Sequence, residues 1–321
     1  MTRQPVSAAR RAALSAALPL LVLLLAAAGL LATFSAAPLA MPGPWQGAVP
    51  KASPPPELRV FQLPTGVLHR SAAFAYRGGS YSDKRDFAAT AVLVEHPAGD
   101  LLIDTGFGRA FDAQFASMPA FFQAITSYRH DTAAADLLAQ AGYDTRSLRG
   151  ILLTHAHWDH VSGLPDFPGV PVLLTEDERA FIRAGGASTA LIRSFRDVRF
   201  EEYQLESGPY LGFARSHDLY GDGSVVVVAA AGHTPGSVIV FLTLPSGRRY
   251  ALVGDLAWQR EGITELEERA WPLRMMVDAD RQGVRENLLH MKALALRFPE
   301  LILVPAHDLR GFSKMPELAA P

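Results

Sequence analysis

Directly after an apolar run at 150–154 the chain reads Thr154-His155-Ala156-His157-Trp158-Asp159-His160, which puts four potential metal ligands within six residues. A short apolar run of this kind reads as a buried strand, and side chains this rich in imidazole and carboxylate at its end describe a loop that can wrap a cation. The competing reading is a polar surface loop. Histidine and aspartate are borderline-hard donors suited to Zn²⁺, Mn²⁺ or Fe²⁺. Cysteine is absent from all 321 residues. That excludes disulfides, thiolate nucleophiles, iron–sulfur clusters and cysteine-ligated zinc. A chain without cysteine folds equally well in oxidising and reducing compartments, so export stays open.

The charge balance narrows the partners. Formal net charge is −2, and the first fifty residues carry only Arg3, Arg10 and Arg11, leaving 27 basic against 32 acidic side chains in the remainder. A nucleic-acid binder needs a basic face to displace counterions from phosphate, so no nucleic-acid partner is expected. A hydrophobic content of 49% with 19% charged residues excludes a disordered chain. The length allows one large domain or two small ones.

Between Arg11 and Lys51 there is no charge, and 13–33 is almost wholly apolar. A helix of about 20 such residues spans the roughly 30 Å of a bilayer core. The sequence therefore predicts a signal or anchor helix over 1–37, a transmembrane anchor being the favoured form. Ser35-Ala36-Ala37 is the nearest small-x-small cleavage site. With the basic end cytoplasmic, the rest of the chain is expected outside the cytoplasm, exported or anchored to the inner membrane on its periplasmic side. Seven prolines between 38 and 56 mark an extended linker. The folded domain is expected over 57–321.

Within that domain, strands are expected at 58–63, 89–95, 101–103, 150–154, 172–174, 224–230, 238–244, 250–253 and 301–304. Helices are expected at 132–141, 176–184 and 280–297, the last with Val284, Leu288, Met291 and Leu294 on one face. The order is that of an α+β fold, a sandwich of sheets with helices outside.

The metal loop resembles the His-x-His-x-Asp-His hallmark of the metallo-β-lactamase-fold hydrolases. Gly232-His233-Thr234, Gly254-Asp255 and Ala306-His307 follow expected strands in the family's order. The resemblance covers roughly 57–312 and implies an αβ/βα sandwich. It also implies that His155, His157 and His233 hold one divalent metal and Asp159, His160 and His307 a second, with Asp255 bridging. Zn²⁺ is the expected metal, Mn²⁺ or Fe²⁺ the alternatives. A hydroxide between the two would attack the substrate, Asp159 would carry a proton to the leaving group, and Asp104 would orient a ligand histidine.

The Asp-type bridge and the missing cysteine disfavour the β-lactamase branch with a cysteine ligand, which leaves small esters, lactones, thioesters or phosphotriesters. The layout is similar to the quorum-quenching lactonases, except that Trp258 stands where N-acyl-homoserine lactonases place a tyrosine. Phe107, Phe121, Phe122 and Trp258 are candidates for the wall of a pocket taking an apolar acyl substrate. Packing in the core, or contact with a membrane, are the other readings of the phenylalanines. Two alternatives to an ester or lactone hydrolase remain. A glyoxalase II-like thioesterase would need a cationic site, and no Lys/Arg cluster is visible near the motifs. A non-catalytic module that binds a metal or ligand is the other.

Overall fold

The computed structural model describes residues 8–318, with side chains for Pro19 and from Leu21 onward. Twelve strands among them form two sheets. The first contains β1 (Arg59–Ser71), β2 (Lys84–Glu95), β3 (Asp100–Ile103), β4 (Ser127–His130), β5 (Leu148–Leu152), β6 (Val172–Thr175) and β7 (Phe200–Tyr203), in the order β4-β1-β2-β3-β5-β6-β7. The second contains β8 (Ser216–Asp218), β9 (Val225–Ala229), β10 (Val238–Thr243), β11 (Arg249–Gly254) and β12 (Ile302–Pro305), in the order β12-β11-β10-β9-β8. β3, β5, β6 and β7 run parallel, as do β11 and β12.

Alternation along the strands decides the layering. Val92 and Val94 of β2 and Leu101 and Ile103 of β3 meet Val225, Val227, Val240, Leu242 and Leu252 of the second sheet in one buried cluster. The residues between them, Ala91, Leu93 and Leu102, turn the other way onto Leu138 and Ile182 of helices Ala134–Gln140 and Glu176–Ala184. On the far side, Val228, Ile239, Ala251 and Val253 pack against Val284, Leu288, Met291 and Leu294 of helix Arg281–Arg297. The central strands β2, β3, β5, β6, β9, β10 and β11 are covered on both faces, which is why they read as nearly unbroken apolar runs. The result is the mixed α/β sandwich with helices outside that the sequence predicts.

Helix Glu176–Ala184 has the expected limits. The Thr175 hydroxyl accepts from the Glu178 N–H at its start, and Gly185 takes φ 82° at its end. β1 runs beyond the expected 58–63 because a bulge between Pro64 and Gly66 absorbs the proline without ending the pairing to β2. The short edge strands β4, β7 and β8 were not expected. Each has at most four residues and no apolar period to announce it.

A helix does form at the N-terminus, Ala8–Ala32, with Pro19 inside it. Among the described residues no helix is long and apolar enough to cross a membrane, so the membrane-spanning anchor expected over 1–37 has no support in the fold. Residues 1–7 and 319–321, and the side chains at 8–18 and 20, lie outside the described residues. The expected linker at 38–56 has no regular secondary structure, but it does not hang free. Ala37 N–H donates to Glu267 Oε2 (3.0 Å), Leu39 N–H to Leu266 O (2.9 Å), Trp45 N–H to Ala293 O (3.0 Å) and Ser53 N–H to Asp222 O (2.7 Å). The prolines withhold donors, while the residues between them spend theirs on the domain, making a strap. The Trp45 ring lies 6.0 Å from that of Phe298, over the end of helix Arg281–Arg297. Trp45→Ala is expected to cost about 2 kcal/mol, read as a lower midpoint in urea unfolding. An unchanged midpoint would show that the strap rests on the domain without holding to it.

Candidate metal centre

Every ligand expected from sequence sits at the carboxyl end of a strand. The loop after β5 carries His155, His157, Asp159 and His160, while His233 follows β9, Asp255 follows β11 and His307 follows β12. The parallel and inward-facing strands open toward one rim, where such loops converge. There His155, His157, His233 and Asp255 form one group and Asp159, His160 and His307 another, the donor atoms of each lying within 4.8 Å of one another. Asp255 divides its oxygens between the groups. Oδ2 is 3.4 Å from His233 Nε2 and 3.9 Å from His155 Nε2; Oδ1 is 3.1 Å from His307 Nε2 and 3.4 Å from His160 Nε2.

His155 Nε2, His160 Nε2 and Asp255 Oδ1 are buried and have no hydrogen-bond partner. Burying such atoms unpaired is costly, and a divalent cation is the partner that suits an imidazole lone pair and a carboxylate together. Burial, reinforced by the neighbouring His160, pushes His155 well below the usual histidine range; burial and His233 do the same for His157. Both rings are held neutral, His155 with Nε2 unpartnered and His157 with Nδ1 2.9 Å from His233 Nε2. Burial alone would raise Asp255, but His307, His160 and His233 around it hold it well below the usual carboxylate range.

The rings are aimed from behind. His160 Nδ1 lies 2.8 Å from Asp104 Oδ2, and Asp104 also accepts from the Thr154 N–H (2.8 Å) and hydroxyl (2.7 Å). Asp104 adopts φ 52°, a left-handed conformation that aspartate tolerates better than most residues. His307 Nδ1 is 2.8 Å from Ala88 O. Glu178, which sequence reasoning missed, accepts from Ala156 N–H (2.6 Å), the Thr234 hydroxyl (2.7 Å) and Gly236 N–H (3.1 Å). One buried carboxylate thereby ties the His155 loop to the His233 loop. A Cβ at Gly236 would collide with the Glu178 backbone, so that close approach requires glycine. Glu176, Asp177 and Glu178 together read as acids favouring the start of a helix, and nothing in the sequence set Glu178 apart from the other two.

The pocket candidates divide. Phe107 is fully buried, stacked 3.8 Å from Phe111 in the cluster with Phe115, and belongs to the core instead of a pocket wall. Phe107, Phe111 and Phe115 are spaced i, i+4, i+8, as on one face of a helix, but the helix begins only at Phe111 (Phe111–Ala116). Phe121 is 71% exposed. Phe122 is half-buried, edge-on to Trp158 of the metal loop at 5.6 Å. Trp258 donates its Nε1–H to Asp255 Oδ2 (2.8 Å), so its one polar group is committed to the shared carboxylate.

Fold and site together define a metal-dependent hydrolase. The chain belongs to the metallo-beta-lactamase superfamily, whose model matches residues 85–307. It is similar to the probable metallo-hydrolase Rv2300c of Mycobacterium tuberculosis, 29% identical over 82% of this chain and 84% of that protein. It is also similar to the N-acyl homoserine lactonase AttM of Agrobacterium fabrum, 25% identical over 82% of this chain and 99% of the lactonase. Among solved structures, an N-acyl homoserine lactone hydrolase with N-hexanoyl-L-homoserine at its metal centre superposes with a TM-score of 0.63 at 15% identity, covering 81% of this chain and 96% of that one.

An ion-pair cluster underlies the His307 loop. Glu261 pairs with Arg85 (2.9 Å) and Arg310 (2.7 Å); Arg310 also reaches Gln259, whose amide donates to His307 O. Burial alone would raise Glu261, but Arg310 and then Arg85 bring it down to about 2. A depressed carboxylate adds stability above its unfolded value, and that contribution fades as pH falls toward the folded value. Glu261→Gln is expected to destabilise the chain at pH 7 by about 2 kcal/mol, a figure discounted for the partial exposure of Arg310. The gap from wild type should close between about pH 4.5 and 2. A gap constant over that range in thermal melts would remove the charge pairing from the account.

Proposed function

We propose that this chain is a two-metal hydrolase that cleaves a small apolar ester or lactone. The observation that carries it is the divided carboxylate of Asp255, one oxygen facing each ligand group. Two divalent cations held there, Zn²⁺ with Mn²⁺ or Fe²⁺ as alternatives, supply Lewis acidity and an acidified water when bound. The chain's own residues do the rest. Asp255 fixes the separation of the two groups, while Asp104 and Ala88 O keep His160 and His307 turned inward. Asp159, 8% exposed and 3.5 Å from His307, is the carboxylate placed to pass a proton to a departing oxygen. Phe122, Trp158 and Trp258 supply apolar surface beside it, which supports an acyl substrate. The lactonase relatives support a lactone. The engaged N–H of Trp258 supports the broader class of esters and lactones over homoserine lactones alone.

One observation favours a thioesterase as the second reading. Arg274, Arg281 and Arg285 line an open cleft of about 420 Å³ with Trp271, a cationic site that their spacing in sequence concealed. Glu268 pairs with Arg274 (2.8 Å) and Arg285 (2.9 Å), however, leaving less charge for an anionic substrate.

Zinc-loaded chain is expected to hydrolyse an N-acyl lactone and aryl esters faster than S-lactoylglutathione; the reverse order selects the thioesterase, and no turnover on any of them selects a binding module. Asp255→Ala should lose at least one metal per chain by elemental analysis, and retention of two would remove the bridge. The charge-free stretch between Arg11 and Lys51 supports export of the domain, with 13–33 as signal or tether. Cell fractionation of the full chain should then find it outside the cytosol, and a cytosolic pool alone refutes this.

A further inference from the structure

A buried ion pair touches the first ligand group at two points and has no counterpart in the sequence reading. The Asp278 side chain is 0% exposed, with Oδ1 3.1 Å from His233 Nδ1 and 3.1 Å from Arg269 Nη1. Arg269 is itself 3% exposed. Its Nη2 donates to the main-chain oxygen of Asp255, and its guanidinium lies over the Trp258 ring, 4.8 Å from the centroid. Trp258 in turn donates to Asp255 Oδ2, the oxygen that belongs to the first group. The contacts close a circuit: His233, Asp278, Arg269, then Asp255 by way of its carbonyl and of Trp258.

Burying two charges gains little stability by itself. Here the pair turns the His233 ring of the first group and holds the main chain of the shared Asp255. In the second group His160 is aimed by Asp104 and His307 by Ala88 O, and neither touches Asp278 or Arg269. From this we infer that Asp278, itself held by Arg269, is a positioning residue for the first metal position through His233. Each position then has a carboxylate behind one of its own histidines, Asp278 behind His233 and Asp104 behind His160. A ligand histidine held through its far nitrogen keeps its lone pair on the metal, and loss of such a partner costs about 10–100-fold in metal affinity.

This rests on the two-metal reading above. The test is a Zn²⁺ titration of the metal-free, full-length chain against a chromophoric chelator, which reads affinity and stoichiometry without activity. Wild type should take up two tight equivalents. Asp278→Asn keeps a hydrogen-bonding group toward His233 but drops the charge. It should weaken one equivalent by about 10–100-fold and leave the other unchanged. Asp104→Asn should give the same pattern, and the double variant should weaken both. If the double variant keeps one tight equivalent, the two carboxylates serve one position and the inference is wrong. It is equally overturned if Asp278→Asn leaves both equivalents as in wild type or weakens both alike. Asp278→Glu keeps the charge but displaces it by one methylene; it should weaken the same single equivalent, and it takes the place of Asp278→Asn if that variant does not fold. Fewer than two tight equivalents in wild type would overturn the two-metal reading and this inference with it; two in wild type and an unaffected variant overturns only the inference.

Discussion

A carboxylate 5% exposed, ringed by four histidines, is the constraint around which this molecule is arranged. Desolvation works against the charge on Asp255, and the surrounding imidazoles compensate only if their orientations are fixed. The strands provide that fixity. Each ligand follows a strand whose own backbone is locked into a ladder, and the rings of His160, His233 and His307 are braced on their far nitrogens by a carboxylate or carbonyl drawn from elsewhere in the fold. Even the local strain at Asp104 is spent here, since its left-handed turn lets one side chain serve both the Thr154 backbone and His160.

The parts legible in the sequence are those that repeat a local rule. The loop at 155–160 is dense in ligands, helix Glu176–Ala184 carries its cap and its glycine stop, and helix Arg281–Arg297 shows a clean apolar face. His233, Asp255 and His307 could be picked out because each follows an apolar strand. Residues whose role depends on a partner far along the chain gave no such signal. Asp278 looks like any acid after a short helix, yet it meets His233 across 45 positions; Glu178 meets Thr234 across 56. Phe107 failed for a related reason. Spacing of i, i+4, i+8 assumes a helix, and the chain enters its helix only at Phe111.

The neighbourhood of Trp258 bears on the substrate class proposed above. Its indole N–H is held by Asp255, one face carries Arg269, and its edge meets Phe87 and His307. A ring so engaged on several sides presents surface instead of a hydrogen bond to whatever enters the centre. For the acyl substrate proposed above, shape and apolar contact are therefore left to discriminate, with Phe122 and Trp158 in the same cluster.

The strap joins the front of the chain to this chemistry. Leu39 and Ala37 grip Leu266 and Glu267, and Leu266 itself is held at φ 56°. Arg269 lies only three residues beyond that strained turn. The peptide in front of the folded domain is thus fastened three residues ahead of the guanidinium that reaches the Asp255 carbonyl.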